Sequence, residues 1–162
     1  MSHISLVPVT KANWQEVLRL SVFPEQEKFV PSTVLSLAKA YVRPDGPPIF
    51  PNAIYATGKL VGFFNLTVDV KTADVYWISG FLIDKSVQRR GYGNAALMEV
   101  LGMIFGTYPR CQSVGLTVHP DNAIARHLYE KTGFKNTGQL FEGEMIYRLR
   151  VRRGPPSAEK EE

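Results

Sequence analysis

A single cysteine, Cys111, among 162 residues excludes an internal disulfide and any all-cysteine metal site, and three histidines (His3, His119, His127) leave little from which to build another. No apolar run approaches the roughly 18 residues needed to cross a bilayer. The first ten residues lack the basic start and apolar stretch of a targeting leader. Neither sign of charge dominates: 19 Lys and Arg against 15 Asp and Glu leave +4, too mild for a dedicated nucleic-acid binder without a basic cluster and interleaved aromatics. Self-similarity at a period of roughly 20 to 50 residues is also missing. These absences predict a cytoplasmic chain with neither membrane nor nucleic acid as partner. Its length suits one domain, expected over residues 1–151, and residues 152–162, which lack any large apolar side chain, are expected to be disordered.

What is present is a run of short elements. Residues 4–9 alternate as a strand, and Trp14, Val17 and Leu18 mark a helix over 13–20. Ser32, behind Pro31, is a suitable N-cap for a second helix whose Val34, Leu35, Ala38 and Val42 share one face. Residues 53–56 and 60–68 read as strands joined through Thr57 and Gly58, and 75–83 as another after the polar turn 71–74. A third helix over 91–105 carries Leu97, Val100, Leu101, Ile104 and Phe105 at helical spacing. A strand at 114–118, a helix at 123–132 stopped by Gly133, and a hairpin of 134–141 with 145–151 complete the chain. The order β-α-α-β-β-β-α-β-α-β-β places antiparallel strands first and a βαβ unit in the middle, so the fold class is a mixed α/β sheet.

The segment from Phe81 to Asn94 carries the most information: a strand ends, a short basic loop follows, and two glycines open an amphipathic helix. Gly91 and Gly93 let backbone N–H groups approach a diphosphate without Cβ interference, the helix dipole adds attraction, and Arg89 and Arg90 supply charge at the rim. Two familiar anion loops do not fit. A dinucleotide-binding turn joins strand to helix tightly and has an acid about 20 positions on, whereas residues 110–116 hold none. A P-loop has Lys and Ser or Thr after its last glycine, where this chain has Asn94 and Ala95. Further on, Asn122, Arg126 and Tyr129 fall at i, i+4 and i+7, a polar stripe along one helix face, while Ile124 and Leu128 are expected to turn toward a core. Alone, that stripe would read as solvated surface; beside the loop it reads as a wall of the same site.

In residue order and context, Gln88-Arg-Arg-Gly-Tyr-Gly93 resembles the acetyl-CoA diphosphate loop of the GNAT superfamily of N-acetyltransferases, and Asn122 through Phe134 looks like that family's Asn…Tyr…Gly-Phe helix. The resemblance covers roughly residues 4–151. It implies the GNAT acyl-CoA N-acyltransferase fold, acetyl-CoA as co-substrate and no metal. It also implies that Phe81, Leu82 and Ile83 pair with the pantetheine arm like an added strand, that Gln88, Arg89, Arg90, Gly91, Tyr92, Gly93 and Asn94 hold the diphosphate, and that Asn122, Arg126 and Tyr129 line the cofactor. Tyr129 takes the family's general-acid place. Homodimerisation is common in the superfamily, and no self-complementary patch is legible here.

Acyl transfer from a thioester to an amine needs a positioned thioester, a neutral amine, a donor for the developing oxyanion and a proton for the departing thiolate. Gly80 suits a bulge that would splay its strand and open a slot, and a backbone N–H near Leu82 is the natural oxyanion donor; an ordinary buried strand would account for Phe81 and Ile83 equally well. A primary amine of pKa about 10 is neutral in only about one molecule in a thousand at pH 7. Ser79 and Thr117 stand where many relatives carry an acid, which leaves Asp69, Asp74, Asp84 and Glu144 at strand ends, positions that read first as solvated turns, and predicts deprotonation through water with no single essential carboxylate. The segment from Phe23 to Tyr41 looks like the lid of the polyamine (spermine and spermidine) acetyltransferase branch, in which Glu25 and Glu27 could attract a cationic acceptor. A solvent-exposed linker is the competing description of that segment. Acetylation of a protein N-terminus or lysine, and an acyl-CoA sensor without turnover, are the other functions these motifs allow. Trp14, Trp77, Phe63, Phe64 and Cys111 read as packing, and the alternating Arg148, Arg150, Arg152 and Arg153 as a charged strand edge.

Overall fold

The computed structural model describes residues 3–68 and 75–151. The tail expected to be disordered, Arg152 and Arg153 with it, and the turn at 71–74 with Asp69 and Asp74 lie outside those residues. The element order is β1 (Ile4–Pro8), α1 (Trp14–Val17), α2 (Thr33–Val42), β2 (Ile49–Ala56), β3 (Lys59–Val68), β4 (Val75–Ile83), α3 (Tyr92–Thr107), β5 (Ser113–Val118), α4 (Ala123–Thr132), β6 (Lys135–Phe141) and β7 (Glu144–Arg150). This is the expected order, in one seven-stranded sheet arranged β1-β2-β3-β4-β5-β7-β6. Among the described residues only the β4–β5 pair is parallel.

Local signals set most of the boundaries. The Ser32 side chain accepts the Leu35 N–H at 3.1 Å and starts α2, and the Asn122 side chain does the same for Ala125 at 3.2 Å in α4. Gly133, at φ 111°, ends α4 in the left-handed conformation that costs glycine least. Thr57 (φ 47°) and Gly58 (φ 79°) form the two-residue turn between β2 and β3. Two expectations shift. The first helix is one turn long, and Trp14 is 44 % exposed instead of packed. β2 begins at Ile49, four residues before the apolar stretch that marks it, a start that Pro51, within the strand, hides in the sequence.

One face of the sheet is covered by α3 and α4. There Phe64, Leu66, Tyr76, Ile78, Val114, Leu116 and Val118 meet Leu97, Val100, Leu101 and Ile104, with Cys111 buried among them. The opposite face of β2–β4 packs Ala53, Phe63 and Leu82 against Val17 and Leu20 under α1 and the segment that follows it. α2 is inverted relative to expectation. Thr33 and Ser36 are its buried residues, whereas Val34, Leu35, Ala38, Tyr41 and Val42 are exposed. The Thr33 hydroxyl donates to Val17 O of α1 at 3.1 Å, and the Ser36 backbone carbonyl accepts from the Asn65 side chain of β3 at 3.0 Å, so this buried side of α2 finds polar partners in α1 and in the sheet.

Candidate active site

The site starts with one extra residue. Phe63 lies opposite Leu82 and Asn65 opposite Ser79, so two steps along β3 match three along β4: the bulge expected at Gly80 is present. Gly80 sits at φ 61°, and a Cβ there would lie 2.8 Å from Ser36 Oγ. The bulge reverses which side chains face which layer: Trp77 and Ser79 share the α2 face with Leu82, while Phe81 and Ile83 turn to the α3 face. β4 pairs with β5 only through Val75–Trp77 against Ser113–Gly115, and beyond that point no pairing joins them. The strands part into a slot.

Backbone groups on the slot side of β4 follow from the ladder. Asp84 N–H donates to Val61 O at 2.8 Å, which makes Ile83, opposite Gly62, the residue whose own N–H and C=O point away from β3. The Ile83 carbonyl indeed accepts a hydrogen bond from Gln88 Nε2 at 2.9 Å, on the slot side. By the same alternation Leu82 turns its groups to β3. Near Leu82, where an oxyanion donor is expected, the N–H that faces the slot is that of Ile83.

The slot opens into one cavity of about 1170 Å³ that reaches both faces of the sheet. At one end it is lined by Ile83, Val87, Gln88, Arg89, Gly91, Tyr92, Gly93, Asn94, Asn122, Ala125, Leu128, Tyr129 and Lys131. Gly91 precedes α3 at φ 83° and Arg89 lies at φ 63°, so the loop doubles back and leaves the first N–H groups of a 16-residue helix without intrahelical partners. A Cβ at Gly91 would meet open space, and one at Gly93 would contact Leu128 and Ile83 at 3.7 and 3.9 Å, inside the cavity. This is an uncrowded anion cradle beside a narrow apolar channel, and a diphosphate on an amide-bearing arm fits it.

At the other end lie Phe29, Val30, Lys39, Asp45, Asn65, Thr67, Trp77, Ser79, Thr117, Glu142, Glu144 and Ile146, with Gln26 on the wall beside Gln88. Trp77 is half-buried with its indole across Gly115, where a Cβ would come within 2.7 Å of the ring. It is a cavity wall as well as packing. The segment between α1 and α2 is stitched to the loop before α3. Ser21 N–H donates to Asp84 Oδ1 at 2.9 Å, and Gln26 and Gln88 exchange amide hydrogen bonds of 3.0 and 2.9 Å. Phe29 then meets His119 at the end of β5, with ring centroids 5.2 Å apart, so the segment crosses the slot.

The structure brings most of the expected residues together and leaves some out. Phe81, Leu82 and Ile83 line the cavity, as do Gln88, Arg89, Gly91, Tyr92, Gly93, Asn94, Asn122 and Tyr129. Arg90 is exposed and not on the wall. Arg126 points away: its Nη1 donates to Pro120 O at 3.1 Å and its Nε to the Tyr147 hydroxyl at 3.4 Å. Leu128 packs against the core as expected and also lines the cavity, whereas Ile124, expected in a core, is 71 % exposed on the cavity wall. Glu25 and Glu27 are exposed and absent from the wall, where the residue between them, Gln26, stands. Burial raises the Asp84 pKa, but hydrogen bonds from the Ser86 hydroxyl and from the Ser21 and Ser86 N–H groups outweigh it and hold the carboxyl below the ordinary range. Of the four strand-end carboxylates, Glu144 is the one among the described residues that reaches the cavity. Burial raises its pKa, and neighbouring Glu142 adds to this. Tyr129 is buried against Phe134 and pushed up to about 12 by burial, with the Glu144 charge adding. Sequence reasoning missed Gln26, Asn65 and Trp77; Asn65 alone left a trace, one amide inside the apolar run from Phe63 to Leu66.

Among the described residues no helix is long and apolar enough to cross a membrane, and no group of three or more His, Cys, Asp or Glu could hold a metal ion. Residues 14–134 match the acetyltransferase (GNAT) family. The spermine/spermidine N(1)-acetyltransferase of Bacillus subtilis (strain 168) is 30% identical over 154 residues, which cover 88% of this chain and 95% of that protein. Among solved structures, spermidine N-acetyltransferase from Vibrio cholerae, in complex with CoA and spermine, superposes with TM-score 0.69 at 18% identity, covering 91% of this chain and 94% of that one. An aminoglycoside acetyltransferase in complex with coenzyme A gives TM-score 0.74 at 15% identity over 91% and 95% of the two chains. These likenesses in structure show a shared fold.

Proposed function

The chain belongs to the acetyltransferase (GNAT) family and is an acetyl-CoA-dependent N-acetyltransferase, and on that premise we propose that its acceptor is a small aliphatic polyamine, acetylated at a primary nitrogen by direct attack in a ternary complex. The observation that carries this reading is the division of charge in one continuous cavity. Arg89, Lys131 and the N-terminus of α3 stand at the cofactor end, and Asp45, Glu142 and Glu144 stand against Lys39 at the other. An anionic cofactor and a cationic acceptor are each drawn to the end that complements them. The 30% identity to spermine/spermidine acetyltransferases points the same way.

Acetyl-CoA supplies the activated thioester; the rest is done by this chain. The α3 N-terminus and Arg89 hold the diphosphate, and the slot edge of β4 aligns the pantetheine arm. The Ile83 N–H faces the developing oxyanion. A pre-aimed donor of this kind is worth about 2.7–4 kcal/mol in a dry site. Tyr129, protonated at every physiological pH because its pKa is pushed up to about 12, donates a hydrogen bond to the leaving sulfur. Against a thiol of pKa about 8.5 the full transfer lies about 5 kcal/mol uphill, so the proton passes only as the C–S bond breaks. Glu144, its pKa raised by burial, receives the acceptor's proton through water and draws the ammonium into the slot.

A panel of spermidine, spermine, simple diamines, an aminoglycoside and a short peptide with a free N-terminus, followed by thiol release from acetyl-CoA, tests the reading. Polyamines should lead in kcat/KM by tenfold or more. A lead for the peptide would move the function to protein acetylation, and tight CoA binding with no amine-dependent release would make the chain a sensor.

A further inference from the structure

Buried polar groups are normally paired, and Asn65 Oδ1 is not. Asn65 is 2 % exposed in the middle of β3, and its Oδ1 has no hydrogen-bond partner. The side chain cannot readily turn to find one, because Nδ2 is held by Ser36 O at 3.0 Å from the buried face of α2. An unmet buried carbonyl costs about 1–3 kcal/mol, more than most chains leave standing without a use for it. Asn65 belongs to the cavity wall, on the α2 side, together with Thr67, Trp77 and Ser79. An acceptor oxygen there calls for a ligand that brings N–H donors, and an aliphatic ammonium brings nothing else.

Its place in the ladder says which nitrogen. Asn65 pairs with Ser79, one residue before the bulge, and Ile83, whose N–H faces the slot, lies opposite Gly62, three β3 residues from Asn65. Three strand residues span about 10 Å. An extended diamine holds its nitrogens about 5 Å apart across three methylene groups and about 6 Å across four, which with a hydrogen bond of about 3 Å at Asn65 covers that distance. We propose that Asn65 Oδ1 accepts a hydrogen bond from the second nitrogen of a diamine segment, three or four carbons from the nitrogen that is acetylated, and so selects polyamines over monoamines. This rests on the polyamine reading above and adds to it the residue that measures the spacing.

Asn65→Leu should lower kcat/KM for spermidine by about 10-fold or more, the range of a lost hydrogen bond to a charged group, entirely through KM. The same variant should leave kcat/KM for n-butylamine and the affinity for CoA within twofold of the wild type, and Asn65→Asp should retain the preference for spermidine. Equal losses on diamine and monoamine, or a shift in CoA affinity of the same size, would make Asn65 a merely structural residue and overturn the proposal. Should the wild type prove inactive on spermidine, the polyamine reading fails by that assay alone. The Asn65 side-chain amide resonance of the CoA-loaded protein then decides separately: a shift on adding spermidine and none on adding n-butylamine supports the assignment, and an unmoved resonance ends it.

Discussion

Tyr129 and Glu144 both line the cavity, and their environments push both toward the neutral form. Each is raised first by burial, and the Glu144 charge raises Tyr129 further. Two outcomes follow at this scale. Tyr129→Phe should lower kcat by about 10²-fold, within the range of general-acid contributions, and leave CoA affinity unchanged by calorimetry; an unchanged kcat would remove Tyr129 from the chemistry. For pH, kcat/KM should rise with the neutral fraction of the amine. Its acid limb should turn above the ordinary carboxylate range, and Glu144→Gln should abolish that turn. No alkaline fall from Tyr129 is expected below about pH 11, since a pKa of about 12 keeps the phenol protonated there.

Among the elements, α2 and the entry to α3 respond to substitution in opposite ways. Leu35 and Val42 sit on the exposed side of α2, so Leu35→Lys should change the chemical-denaturation midpoint by no more than about 0.5 kcal/mol equivalent. Ser36→Leu should destabilise, because that side chain lies 1 % exposed against Gly80. Gly91→Val, at φ 83°, should cost about 1–3 kcal/mol of backbone strain and raise the KM for acetyl-CoA more than that for the amine.

The same two elements show what a sequence can reveal. Glycine spacing at 91 and 93, the bulge at Gly80 and the cap at Ser32 are local devices, legible because the chemistry of one or two residues dictates the backbone. Which face of α2 is buried is decided by what lies opposite. There the sheet offers Asn65 and the polar end of the cavity, so helical period could be read and its orientation could not. Glu25 and Glu27 failed to reach the wall for the same kind of reason. A short 3-10 turn over Pro24–Gln26 rotates the segment so that Gln26 faces Gln88. The direction of Arg126 likewise depended on Tyr147, 21 residues away in sequence.

For the whole molecule, buried tyrosine is a pH-linked reservoir of stability. An acid whose folded pKa is raised contributes fully below its unfolded value and loses that contribution as pH rises through the folded one. For Tyr129 the window runs from 10 to about 12, a difference worth up to about 2.7 kcal/mol. Tyr76, also raised by burial, acts in the same direction. Denaturation midpoints should therefore fall between pH 9 and 11.5, and Tyr129→Phe should flatten part of that fall; an identical slope in the variant would contradict the burial of a neutral phenol.

The slot between β4 and β5 is the premise on which cofactor, acceptor and catalysis all depend. Calorimetric titration of the folded chain with coenzyme A tests it most directly. One molecule per chain should bind in the range of about 1 μM to 1 mM, and Gly91→Val should weaken the binding. Heat indistinguishable from dilution, for free and acetylated coenzyme alike, would contradict the account.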